Sequence, residues 1–346
     1  MGNNLGGKMD TDTTSMIESN TDMPLTVVEI CAGAGGQAIG LEMAGFRMVA
    51  AIDNDQGACQ TLRYNRPKWT VIQADLQEVN GLRFEGADLL AGGVPCPPFS
   101  IAGKQLGSKD GRDLFPQALR LAKEINPRAI MLENVRGFAS NKFSPYRKQL
   151  QEKLARLGFE SDWRVLNASD HGVPQLRPRF ILVGFKHGAI KNFSWPDSQS
   201  NPPTVAETLE DLLASGGWKG IKTWKLKAAT IAPTLVGGSK KHGGPDLGPT
   251  RARRQWANLG VDGLGIANDA PGKDFPTDKM PRITVGMAAR LQGFPDRWKI
   301  TGSKTAAYRQ VGNAFPPPVA YAIGKAIHKA LRLASSSNKT KGLMTA

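Results

Sequence analysis

The feature that most constrains this chain is the alternation of short apolar runs with helical patterns through its first half. LTVVEI (25–30), MVAAID (48–53), TVIQAD (70–75), ADLLAGG (87–93) and AIMLENV (129–135) read as strands. Between them QAIGLEMAG, QGACQTLRYN and PQALRLAKEIN carry helical spacing. Strand–helix alternation of this kind predicts an α/β fold with a mostly parallel, doubly wound sheet. A further helix, from about Pro145 to Leu157, precedes strand-like SDWRVLNA and RFILVGF (179–185).

The texture changes after about Lys186. Residues 189–280 are rich in Gly and Pro with little clean periodicity, and from Thr284 the helical signals return in VGMAARLQGF, AAYRQV and VAYAIGKAIHKALRL. The organisation expected is a first domain over 25–188, a small domain inserted at 189–280, and a return of the first domain over 281–334. Polar tails at 1–24 and 335–346 are expected to be disordered.

Charge narrows the partner. Lys and Arg number 45 against 30 Asp and Glu, a formal +15, which points to a polyanion, although a solvated basic surface carries the same charge. No apolar run approaches the roughly 18 residues of a membrane span and the N-terminus has no secretory core, so a cytoplasmic protein is expected. The three cysteines form no Cys-x-x-Cys pair and the histidines number four, which argues against a disulfide framework and a metal site.

EICAGAGGQAIG (29–40) is a strand end, a glycine turn and a helix start, where Gly33, Gly35 and Gly36 can bring backbone N–H groups against a ligand. Gly33-x-Gly35-x-x-Ala38 also satisfies the dinucleotide fingerprint, so an NAD oxidoreductase fits these residues. Asp53 and Asp75 end the second and third strands, where the first can meet ribose hydroxyls and the second an adenine amine. Each reads equally as a solvated acid or a cap of the next helix, and Asp55 as a helix N-cap.

GGVPCPPFSIAGKQLG (92–107) places Cys96 on a proline-stiffened loop after the fourth strand. An ordinary thiol is only a few per cent ionised at neutral pH, so a nucleophile needs nearby positive charge or donors. Arg177 and Arg179 in QLRPRF, and Lys104 on the loop, are the candidates, while Glu133 in ENVRGF (133–138) ends the fifth strand as a possible acid for the same crevice.

With these residues in order, the sequence resembles the DNA (cytosine-5)-methyltransferase family from Leu25 to Leu333. The blocks are EICAGAGG, GGVPCPPFS, ENVRGF, QLRPRFILVGF, RITVGMAARLQGFPD and AYRQVGNAFPPPVA. The resemblance implies a Rossmann-like fold and S-adenosyl-L-methionine as cofactor, leaving as S-adenosyl-L-homocysteine, with no metal. It implies that a cytosine is flipped from the duplex and that Cys96 adds to ring carbon 6. Glu133 would engage the ring nitrogen and amine, Arg177 the base carbonyl, Arg179 would anchor the site, and Asn134 would position the cysteine loop. By the same matching, Ala32, Gly33, Gly35, Gly36, Asp53, Asn54, Asp75, Leu76 and Asn313 line the cofactor pocket.

The implied partner is double-stranded DNA, with a cognate restriction endonuclease as candidate second member of the system; a monomer is expected. Residues 189–280 are the candidate target recognition domain. Nine basic residues and one acid, Asp246, lie between Lys219 and Arg254, and Thr234-Leu235-Val236 resembles the family's Thr-Leu element. The DNA-contacting candidates are Lys104, Gln105, Thr234, Lys240, Lys241, Arg251, Arg253 and Arg254. A flexible basic linker that holds phosphates without sequence preference is the alternative. The chain departs from the family pattern at Glu29, Cys31 and Gln37, where Asp, Phe and Phe are usual, at Asp53, usually Glu, and at Pro97, often Gln. An inactive DNA-binding relative would not need Cys96 with Glu133, and the Cys-Phe-Thr tripeptide of transfer-RNA methylating relatives is absent.

Overall fold

A computed structural model describes residues 23–95, 113–198, 201–238 and 246–343. Its frame is a seven-stranded sheet. The strands are β1 (Thr26–Ile30), β2 (Arg47–Asp53), β3 (Val71–Gln73), β4 (Leu89–Gly93), β5 (Ala129–Val135), β6 (Glu160–Asn167) and β7 (Pro178–Phe185). Their order is β3-β2-β1-β4-β5-β7-β6, with β3 to β5 parallel and β7 antiparallel to both neighbours. The doubly wound, mostly parallel sheet expected from the alternation is therefore present.

Helices α1 (Gly36–Met43), α2 (Gln56–Asn65), α3 (Phe115–Ile125) and α4 (Ser144–Arg156) match the helical spacings read above. Asp55 caps α2 by accepting from Ala58 N at 3.0 Å. The chain leaves β1 toward β2 on one side and places β4 on the other. The ends of β1 and β4 thus frame a topological switch point, where open α/β sheets bind ligands.

The central strands are buried on both faces and split their side chains by parity. Val28 and Ile30 join the core that includes the apolar side of α3, whereas Val27 joins the opposite core with Ile39 and Leu41 of α1. That second core also takes in α10 (Pro317–Leu343), laid along α1, and the apolar residues of 189–280, among them Trp218, Trp224, Leu235 and Trp256. Helix α5 (Val205–Ala214), opened by a Thr204–Glu207 capping box, packs on α6 (Ile221–Lys227) and on α8 (Val285–Leu291). The segment 189–280 is thus joined to the main core and is more helical than its composition suggested. Helix α7 (Thr250–Asn258) belongs to it as well, and α9 (Lys304–Asn313) joins α8 to α10 along the chain.

A second difference lies at the C-terminus. The tail expected to be disordered from Ser335 continues α10 to Leu343. Ser335 Oγ donates to Leu331 O and Ser336 Oγ to Arg332 O, so the serine hydroxyls are satisfied inside the helix. Arg128 also donates to Leu331 O and to Ser335 Oγ. The N-terminal tail, expected over 1–24, lies outside the described residues up to position 22.

Candidate active site

The crevice begins where β1 stops. Cys31 takes a left-handed backbone (φ 52°) and Ala32 N donates to Ile52 O, turning the chain over the end of β2. Asp53 then ties the turn down: Oδ2 accepts from Gly33 N at 2.8 Å and Oδ1 from Asp55 N at 2.7 Å. The glycines divide their work. Gly33 lines the crevice, but Gly35 and Gly36 stand behind it. A Cβ on Gly35 would lie 2.7 Å from Leu62 Cδ2 and 2.9 Å from Trp298 Cζ2, and one on Gly36 would lie 2.1 Å from Phe315 O. Gly35 and Gly36 were expected in the lining; they let α1 seat against Trp298 and Phe315, while Trp298 Nε1 donates to Ala34 O.

The crevice has two lobes that share Cys31, Asp53 and Pro95. The larger, about 400 Å³, includes Glu29, Ala32, Gly33, Gln37, Glu133 and Asn313 in its walls. The smaller, about 120 Å³, adds Asn54, Asp75, Leu76 and Leu114. Apart from Gly35 and Gly36, every residue expected at a cofactor site therefore faces one space. Asp75 also caps its own turn, accepting from Gln77 N at 2.9 Å.

Glu133, at the end of β5, is held by Arg179, whose Nε lies 2.9 Å from Oε1. Burial raises the Glu133 carboxyl above the usual carboxylate range, against the pull of Arg179 and Arg177. Gly93 leaves room on its other side, for a Cβ there would come within 3.2 Å of Glu133 Oε2. Asn134 points to the opposite face and donates to Val94 O at 2.8 Å, holding the strand that leads to Pro95. Asp113 Oδ2 accepts from Tyr146 Oη at 2.5 Å. Cys96, Lys104, Gln105, Lys240 and Lys241 lie outside the described residues.

The two arginines have different surroundings. Arg177 is 1% exposed; Nη1 donates to Leu235 O at 2.8 Å, and Nη2 to Gly312 O at 2.8 Å and Ala314 O at 2.9 Å. A guanidinium fastened by three carbonyls is a tie between segments, so the cation in direct contact with the acid is Arg179, which also donates to Pro178 O at 2.9 Å. Thr234 Oγ1 donates to Leu176 O, and Leu235 N to Gln175 Oε1 at 2.8 Å, which pins the Thr-Leu element against QLR. On α7, Trp256 is buried, Arg251 and Arg254 are exposed and Arg253 is half-buried.

Four residues that sequence reading did not assign to the site matter to it. Gln175 and Gln292, both fully buried, bond each other at 2.7 Å beneath the Thr-Leu element. Glu29 and Gln37, 1% and 3% exposed, line the larger lobe with polar atoms that have no partner among the described residues. Their departure from the family pattern was the available signal.

The family model described as C-5 cytosine-specific DNA methylase matches residues 25–329. The chain belongs to this family. The methylase is 54% identical over 316 residues to the Type II methyltransferase M.NaeI of Lentzea aerocolonigenes, covering 89% of this chain and 76% of that one. It is 54% identical over 314 residues to the Type II methyltransferase M.NgoMIV of Neisseria gonorrhoeae, covering 90% and 99%. In fold it is similar to a DNA modification methyltransferase encoded within an Escherichia coli prophage, at 24% identity and a TM-score of 0.61 over 89% of this chain and 99% of that one. A mutant of the Spodoptera frugiperda DNMT2 protein gives 18% identity and a TM-score of 0.58, covering 90% and 99%. The methylase is thus an enzyme that methylates carbon 5 of cytosine in DNA, and its family uses S-adenosylmethionine. Among the described residues no group of three or more His, Cys, Asp or Glu could hold a metal ion, and no helix is long and apolar enough to cross a membrane.

Proposed function

We propose that the methylase acts on a cytosine flipped out of duplex DNA, through a covalent bond from Cys96 to ring carbon 6. The observation that carries this reading is the Glu133–Arg179 pair, with Glu133, Gly93 and Pro95 in the wall of the larger lobe and Pro95 one residue before Cys96. Arg179 takes the base carbonyl that sequence reading gave to Arg177. A proton held on Glu133 is donated to the pyrimidine ring nitrogen as the Cys96 sulfur adds, offsetting the negative charge that addition pushes into the ring. Carbon 5 thereby becomes nucleophilic. After methyl transfer a base takes the carbon 5 proton, the sulfur leaves carbon 6, and the ring nitrogen returns its proton to Glu133, which restores the aromatic ring and frees Cys96. Asn134, through Val94 O, fixes the strand from which the cysteine loop departs.

The residues present fit S-adenosylmethionine: unpartnered buried polar atoms at Glu29 and Gln37 and a Gly33 turn stand in one lobe, and Asp53 and Asp75 border the other. When bound, it supplies an electrophilic methyl group. Gly33, Asp53, Asn54, Asp75, Leu76 and Asn313 would hold it, and S-adenosylhomocysteine would be released. Residues 189–280 serve as the target recognition domain, with Arg251 and Arg254 exposed on α7. The Type II names of the relatives support a role beside a cognate restriction endonuclease in a bacterial cell.

The test uses duplex DNA bearing 5-fluorocytosine at the target, from which no proton can leave carbon 5. The wild-type methylase should form an adduct that survives denaturing electrophoresis. Cys96→Ala should form none and should not turn over, while still binding DNA. Substantial turnover by Cys96→Ala would remove Cys96 from the mechanism.

A further inference from the structure

Helix α9 contributes three polar side chains to the wall of the larger lobe, those of Arg309, Gln310 and Asn313. Two of them are engaged inside the protein. Gln310 Oε1 accepts from Thr61 Oγ1 at 2.7 Å and its Nε2 donates to Thr301 O at 2.9 Å, while Asn313 Nδ2 donates to Gly238 O at 3.2 Å. The third is different. Arg309 is half-buried, and its guanidinium has no ion pair and no hydrogen bond among the described residues.

The acids of the same lobe are occupied elsewhere. Asp53 accepts from Gly33 N and Asp55 N, Asp55 accepts from Ala58 N, and Glu133 is paired with Arg179. Burial favours the neutral form of Glu29. A guanidinium half withdrawn from water has lost hydration that an anion restores best, through charge-assisted hydrogen bonds.

The place of Arg309 in the fold indicates which anion. A Cβ on Gly237 would lie 2.5 Å from Arg309 O and from Asn313 Oδ1, so α9 packs directly against the segment that follows the Thr-Leu element. Gly237 and Gly238 are the last residues of the candidate recognition domain described before Asp246. Arg309 therefore stands at the seam between that domain and the main fold, half open to solvent, with the crevice on its inner side. A base that rotates out of the duplex about its backbone enters the crevice and leaves its phosphates outside. We propose that Arg309 holds a phosphate next to the target cytosine and so clamps the backbone in the form that keeps the base in the crevice. The inference rests on the base-flipping reading above. It makes Arg309 a positioning residue, which touches neither the pyrimidine ring nor the methyl donor. A planar guanidinium suits the task because it takes two phosphate oxygens at once and fixes the direction of the backbone.

The test combines variants with duplexes in which single phosphates around the target are replaced by uncharged methylphosphonates. Arg309→Gln should weaken duplex binding by about 10-fold or more and flatten the dependence of log K on log salt by about one unit. A methylphosphonate at one position beside the target should do the same to the wild type and change Arg309→Gln by less than about 2-fold. Arg309→Lys should restore the salt slope but not the single-turnover rate, since an ammonium group is a point charge without the fork. The same scan on Arg309→Lys serves if Arg309→Gln does not fold. Losses that add at every phosphate, or an unchanged salt slope, would overturn the proposal. So would weaker binding of S-adenosylhomocysteine by Arg309→Gln without DNA, which would assign the guanidinium to the carboxylate of the cofactor. A wild-type chain that forms an adduct with the 5-fluorocytosine duplex but shows additive losses sinks the phosphate clamp alone. No adduct from the wild type would sink the base-flipping reading and the clamp with it.

Discussion

Arg179 Nε lies 2.9 Å from Glu133 Oε1, and the pairing of β5 with β7 explains how they meet. Arg179 stands opposite Val135 in the antiparallel register, and Glu133, two residues before Val135, shares its face of the sheet. The ion pair is the diagonal contact of that ladder. Arg177, two residues earlier, precedes the strand and turns into the protein, where carbonyls of Leu235, Gly312 and Ala314 hold it.

This division predicts opposite consequences for the two arginines. Arg177→Ala orphans three buried carbonyls, each worth about 1–3 kcal/mol, and should lower unfolding free energy by at least about 3 kcal/mol. Arg179→Ala should leave the melting transition closer to wild type but reduce single-turnover methylation by a factor of about 10² or more. Denaturant unfolding and rapid-quench methylation on both variants decide the matter. A stable Arg177→Ala with wild-type folding would show that its ties are dispensable.

Glu133→Gln retains shape and loses the transferable proton. Single-turnover methylation should fall by a factor on the order of 10² or more, with little change in cofactor affinity. An unchanged rate would exclude Glu133 from proton donation.

Glu29 makes stability depend on pH in a definite direction. Its folded-state pKa is raised by burial and by the Asp53 charge, so the folded chain holds a proton that the unfolded chain has lost. The contribution of this neutral carboxyl is present below the ordinary carboxylate range and lost as pH climbs toward the raised value. Without bound ligand, Glu29→Gln should therefore gain on the wild type as pH rises, by up to about 1.4 kcal/mol per pH unit within that window. Urea unfolding at a series of pH values above 5 gives the comparison, and parallel curves for the two chains would mean that Glu29 does not titrate there.

Arg251 and Arg254 are exposed on α7 while Trp256 anchors the helix, so the basic residues can face a duplex. At least one of Arg251, Arg253 and Arg254 should read a base edge. Its replacement by Ala should cost about 1–3 kcal/mol and relax preference at one position of the site. Bisulfite sequencing of a methylated random library for each variant measures this. If every variant methylates the wild-type sites at uniformly lower levels, the three arginines hold only the phosphate backbone.

Features that depend on neighbours along the chain were legible before any folding. The strand–helix alternation settled the doubly wound sheet, the glycine turn after β1 located the crevice, and the order of blocks from EICAGAGG to AYRQVGNAF carried the family. A local signal also gave the cap at Asp55, whose side chain accepts from the backbone N–H three residues on. Tertiary structure alone decided the rest. Which arginine meets Glu133 depends on the register of β7 against β5, strands more than 40 residues apart in sequence. Whether a glycine lines the crevice or makes room for Trp298 and Phe315 depends on chain that returns some 260 residues later. The pairing of Glu29 with Gln37 has the same origin, for a strand's period of two and a helix's period of 3.6 bring side chains together only when the helix lies on the sheet. Side-chain type and spacing are written along the chain, but a polar atom's lack of a partner becomes visible only when all its neighbours have been placed around it.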